Sequence, residues 1–166
     1  MEKVFSCNTL PKNLEEMKKL DNYDLKDPFT TAYLTVLALV RYPEDKEAGV
    51  EMLNELKGPS DLSVLDIQFI DDRFMDGRDY LAKSYLEGTS PENNYTVSAP
   101  YTVKVEDNPY SYTEEGYATL YLKSSGADSL RSVKLRKKPS TGEWFLWSFE
   151  GILSGIRIPV KEDKWA

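Results

Sequence analysis

Apolar positions recur at helical spacing through the first half of the chain and alternate through the second. Asn13-Leu-Glu-Glu16 sets a capping residue three positions ahead of an acid, with Met17 and Leu20 following on one face. Asp27-Pro28 places a cap before a proline at the first helical position. Phe29 to Tyr42 is apolar nearly all round, the mark of a central, buried helix. Pro43 ends that helix and opens the next, Glu44 to Lys57, which turns Val50, Leu53 and Leu56 inward and stops at Gly58-Pro59. Ser63 caps a fourth helix with Ile67, Ile70 and Phe74 as its stripe and Gly77 at its end. Four helices joined by short turns predict a packed helical layer over residues 12–77.

Beyond the loop Gly88 to Asn94 the period changes to two. Tyr101, Val103 and Val105 alternate with Thr102 and Lys104; Ala118, Leu120 and Leu122 alternate with Tyr117, Thr119 and Tyr121. Val133 and Leu135 alternate with Lys134 and Arg136, and Pro139-Ser-Thr-Gly142 turns the chain into Trp144 to Phe149. Gly155 to Val160 reads as a last short strand. Helices first and antiparallel strands afterwards, over 100–160, is the α+β pattern in one domain of 166 residues. A curved sheet of four to five strands holding the helices in its concavity, as in the NTF2-like cone folds, is one arrangement that satisfies this order.

Charge narrows the chemistry. Asp and Glu number 28 against 21 Lys and Arg, a net of −7, and there is no histidine. Its absence removes the usual general base and pH switch, and with it Ser-His-Asp and Cys-His catalysis and His-containing zinc sites. The single Cys7 excludes an intrachain disulfide and an iron–sulfur cluster, and without a basic partner beyond Lys3 it reads as a structural thiol. No glycine pattern cradles a phosphate, and no cofactor or metal is called for. The cluster Asp71-Asp72…Asp76-Gly77 fails as an EF-hand, because Phe74 and Lys83 stand where oxygen ligands belong. Residues 1–20 hold no apolar run and Ala32 to Val40 is too short to span a bilayer, so the expectation is a cytoplasmic protein with no membrane partner.

The charge is also uneven. Glu44 to Asp79 carries eleven acids against four bases, whereas Lys123 to Lys138 carries six bases against Asp128. An acidic whole makes nucleic acid a poor partner. The basic run then reads as a solvated strand face complementing the protein's own acidic helices, with anion binding by Arg131, Lys134, Arg136 and Lys138 as the sharper alternative.

The candidate contact face is Tyr110, Tyr112, Glu114, Glu115, Tyr117, Tyr121 and Trp144: a tyrosine-bearing strand face with the loop that leads into it. Trp144 and Trp147 fall on opposite faces of their strand. Cover on both faces would make both of them core; an exposed one would be a binding anchor. Two function classes follow. One is a non-catalytic protein that binds a partner protein or a small ligand, homo-oligomerisation being one way to cover the tyrosine face. The other is a histidine-free hydrolase that uses an Asp/Glu pair on a glycan or peptide, which requires two carboxyl groups facing each other across a cleft.

The strings KDPFTTAYLTVLALVRYPEDKEAGVEMLNELKGP, FIDDRFMDGRDYLAKSYLEGTSPENNYT, DNPYSY, LRKKPSTGEWFLW and IRIPVKEDKWA follow one another in this order. Together they resemble a family of small uncharacterised bacterial proteins catalogued as a domain of unknown function. The resemblance runs from about Leu10 to Ala166. It implies a single domain and a bacterial source, and it brings no functional residues with it.

Overall fold

A computed structural model describing residues 1–166 places five antiparallel strands in one sheet of order β1-β2-β3-β4-β5, curled into a half-barrel. The strands are β1 (Glu2–Cys7), β2 (Tyr101–Glu106), β3 (Tyr117–Leu122), β4 (Arg131–Lys138) and β5 (Glu143–Ser148). Five helices, α1 (Leu14–Lys18), α2 (Pro28–Arg41), α3 (Lys46–Lys57), α4 (Val64–Phe74) and α5 (Tyr80–Lys83), lie between β1 and β2. No helix is long and apolar enough to cross a membrane.

The α+β class stands, but the helices-first order is corrected: the chain opens on a strand. β1 escapes a binary reading because Lys3 and Val4 are swapped relative to its inward Phe5 and Cys7 and outward Glu2 and Ser6. Lys3 faces the helices, its ammonium 2.6 Å from Asp27 Oδ2 and over the Phe29 ring, while Val4 is exposed on the other face. The sheet is curled around the helices, but the NTF2-like cone itself is not confirmed. Gly155 to Val160 is also not a strand. It makes single backbone bonds, Arg157 N–H to Gly126 and Val160 N–H to Pro91, where a ladder would need a row of them. Gly155 has a positive φ and Pro159 lacks a donor.

The helix signals are realised locally. The Asp27 carboxylate accepts from Phe29 N–H at 2.9 Å, Asp45 caps α3 through Ala48 N–H, and Ser63 and Asp66 form a reciprocal capping box on α4. Every residue of α2 from Phe29 to Val40 is buried, because the helix lies in the concavity and contacts all five strands. Helix α4 ends at Phe74, ahead of the expected Gly77, and the short α5 that follows buries Tyr80, Leu81 and Ala82.

Two irregularities in the sheet shape its surface. Only Val105↔Leu122 and Glu106↔Tyr121 pair β2 with β3, and Glu87 N–H bonds Thr102 O at 2.9 Å where β3 has departed. In β5 the register steps from Leu135↔Leu146 to Lys134↔Ser148, which leaves Trp147 as the extra residue of a β-bulge. Trp147 follows the inward Leu146 and faces outward at the bulge.

Candidate functional site

Helices cover the concave face of the sheet, so the convex face carries the outward residues of each strand. On β3 these are Tyr117, Thr119 and Tyr121; on β4, Lys134, Arg136 and Lys138. Tyr117 lies opposite Arg136, and the bulge brings Trp147 against the same pair, its ring edge-on to Tyr117 at 5.6 Å. The Arg136 guanidinium then sits over two rings, 4.9 Å from the Trp147 centroid and 5.7 Å from that of Tyr117. Lys134 covers Tyr117 from the other side at 4.6 Å and donates to Glu114 Oε2 at 2.6 Å. Trp147 remains 45% exposed, so the option in which both tryptophans are core is corrected. Nothing covers the convex face at that point.

Beside this patch runs a cleft of about 300 Å³ between the end of α3 and the β4–β5 hairpin. Gly58 makes it possible. It caps α3 at φ +77°, and an added Cβ would stand 2.5 Å from the Phe145 ring, so α3 lands on β5 with no side chain between them. Phe145, Leu146 and Trp147 form one wall, Pro59 and Ser60 another, and Pro139 lies at the turn. Lys57, Arg136, Lys137 and Lys138 supply the charge, and the lining contains no carboxylate. None of these four cations has a carboxylate within ion-pair distance, whereas the lysine next along β4, Lys134, is paired.

That finding overturns the expected internal complementarity. Where acids of residues 44–71 are paired, the partner is local or on α1 or α2: Glu44 and Asp45 with Arg41, Glu55 with Lys18, Asp71 with Lys46. No ion pair joins them to β4: the helices pack on the concave side, and Lys134, Arg136 and Lys138 point to the convex side, whereas Lys137 lies opposite Trp144 with its ammonium over that ring.

The sequence-predicted residues divide into three places. Tyr117 and Tyr121 lie on the convex face, and Glu114 reaches it through Lys134. Tyr110, Tyr112 and Glu115 are exposed in the loop leading into β3. The Tyr112 hydroxyl donates to Asp107 Oδ2 at 2.9 Å and is pushed up to about 12, by burial and then by that carboxylate. Trp144 does not share the face. Its side chain packs, partly buried, against the core, and its backbone N–H donates to Leu25 O while its backbone carbonyl accepts from the Thr31 hydroxyl. Lys57, Pro59, Phe145 and Lys137 are the cleft residues that pattern reading missed. The available signal was the basic run ending at Lys138, one turn before a strand with a tryptophan on each face.

Asp71 and Asp72 border one shallow hollow on α4, but consecutive helical residues do not face each other. Burial works to raise the Asp71 carboxyl; hydrogen bonds from Lys46 Nζ and the Tyr42 hydroxyl, both at 2.7 Å, outweigh it and hold the group below its ordinary value. A general acid needs the opposite shift. Cys7 is half-buried and burial pushes its thiol up, away from reactivity.

Asp71 instead links stability to pH. A carboxyl lowered in the folded state stabilises above its unfolded value, near 3.8, and that contribution is lost as pH falls through the folded value. Wild type should therefore exceed Asp71→Asn in urea midpoint at pH 7, and the gap should close toward pH 3. With 41% of the side chain exposed, the effect stays below about 1 kcal/mol. An equal gap at both pH values would show that the pair is not the cause.

Residues 9–160 match the model of a protein family described as Domain of unknown function (DUF6935). No curated protein and no solved structure matches the chain.

Proposed function

The chain belongs to the family described as Domain of unknown function (DUF6935), and we propose that it works by binding, with the convex face of β3–β5 and the adjoining cleft as its contact surface. One observation carries this reading: Lys57, Arg136, Lys137 and Lys138 gather without a carboxylate around exposed aromatic surface, in a protein whose net charge is −7. Seven lysines, Lys3, Lys18, Lys19, Lys46, Lys83, Lys104 and Lys134, pair with a carboxylate; the cleft brings three that do not, together with Arg136, into one place. Cations left together beside Trp147 and Phe145 are complementary to a negatively charged ligand that also offers apolar or flat surface. Either a small molecule or an acidic segment of a partner protein meets that description.

The hydrolase alternative draws no support from the placement of the acids. A glycan would need acceptors for its hydroxyl groups, and the cleft offers cations and one serine.

Naphthalene-1,5-disulfonate, a flat dianion, tests the reading. On titration into labelled protein, amide shifts should cluster at residues 57–60 and 136–147, and Arg136→Ala should weaken binding about tenfold. Shifts scattered over the surface, or none at all, would refute the assignment.

A further inference from the structure

Resting on that reading, we infer that the cleft takes a small, multiply charged phosphate ester carrying a planar ring, of the nucleoside triphosphate class. Three features of the lining select this chemistry.

The first is the number and independence of the cations. A monocarboxylate neutralises one charge and leaves three. A chain of phosphates can meet Lys57 on the α3 side and Arg136 and Lys138 on the β4 side together. Arg136 is the organising group. Trp147 and Tyr117 hold its guanidinium by their ring faces, so its N–H edges stay free. The planar fork of a guanidinium matches two phosphate oxygens at once.

The second is the wall. Phe145, Trp147, Pro59 and Pro139 offer flat apolar surface within the same cleft, and a base that stacks there gains on the order of 1–3 kcal/mol, whatever its identity. The lining has no carboxylate or carboxamide to read the edge of a base. Stacking without readout fits a site that holds nucleotides in general over one that selects a single base.

The third is the rest of the molecule. Seven excess negative charges repel a long phosphate backbone, which cannot keep all its charge inside one short cleft. A mononucleotide can. Glu44 to Asp79, with its eleven acids, bounds the length of polyanion that this surface tolerates.

Titration of the full chain with magnesium-free adenosine triphosphate, followed by amide shifts, tests the inference against three other probes. Adenosine triphosphate should bind about tenfold or more tightly than either adenosine or inorganic tripolyphosphate, with shifts at 57–60 and 136–147. Arg136→Ala and Trp147→Ala should each lose about tenfold. Both side chains are exposed, so the fold stays intact, as an unchanged amide spectrum elsewhere would verify. Tripolyphosphate equalling the nucleotide, with Trp147→Ala silent, would reduce the site to a phosphate patch and overturn the ring requirement. A twelve-residue oligothymidylate binding more tightly than the nucleotide would overturn the limit on size. No nucleotide shifts in the cleft, while naphthalene-1,5-disulfonate still binds there, would remove the ligand class and leave the binding surface standing. If neither binds, both are refuted.

Discussion

Gly58→Ala should cost about 3–5 kcal/mol of folding stability, the largest effect of any glycine substitution at the surface of this protein. Two penalties coincide. The residue sits at φ +77° and ψ −125°, a combination that a side chain opposes at about 1–3 kcal/mol. The new Cβ would also lie 2.5 Å from both Cγ and Cδ1 of Phe145, so it meets the body of the ring and not a flexible tip. Relief requires α3 and β5 to separate, which opens the cleft wall. Gly142→Ala is the internal control: its φ is +76°, but a Cβ there meets nothing within 4 Å. That variant should lose about 1–2 kcal/mol. Urea unfolding of the two side by side separates strain from contact. Equal losses would mean that the Gly58–Phe145 approach contributes nothing.

Phe149→Ala should be nearly as damaging, at about 3–5 kcal/mol. The ring is 1% exposed and meets Phe69 edge-on at 6.3 Å. That contact ties α4 to the end of the sheet, whereas Tyr42, bonded to Asp71 and packed on Phe74, ties it to the end of α2. Ile70 is its only fully buried residue, and Arg73 adds one bond from Nε to Leu153 O at 2.9 Å. Removing the ring leaves a cavity between α4 and the end of the sheet, so amides of α4 should exchange faster than those of α2 in the variant. Trp147→Ala, two residues away and exposed, should cost less than about 1 kcal/mol. Comparable losses in the two variants would contradict the inward and outward assignment made at the bulge.

The α2 segment was legible because its signals agree: Asp27-Pro28 starts it, an all-apolar run fills it, and Pro43 closes it. The hairpin between β4 and β5 was legible for the same reason, its turn residues standing between two alternating runs. β1 was not, because Lys3 is inward and Val4 outward, and only the tertiary partners Asp27 and Phe29 justify that inversion. The candidate site was half legible. Alternation placed Tyr117 and Tyr121 on the outer face and put Trp144 and Trp147 on opposite ones. It could not foresee that a bulge would set Trp147 beside Arg136, nor that residues 57–60 would close a wall some eighty positions away from the hairpin. The expected pairing of acidic helices with the basic strand failed on sidedness, since charge totals along a chain carry no record of which face of a sheet they occupy.

The sheet order has a further consequence for the order of assembly. β3, β4 and β5 are joined by short connections, so their ladders form among near neighbours in the chain. β1 reaches its only partner, β2, across everything from residue 8 to residue 100. The entropy of closing so long a loop is met only once α2 has filled the space that both strands line. Loop entropy thus sets the pairing of Glu2–Cys7 with β2 behind the hairpin ladders of β3, β4 and β5 in the order of assembly.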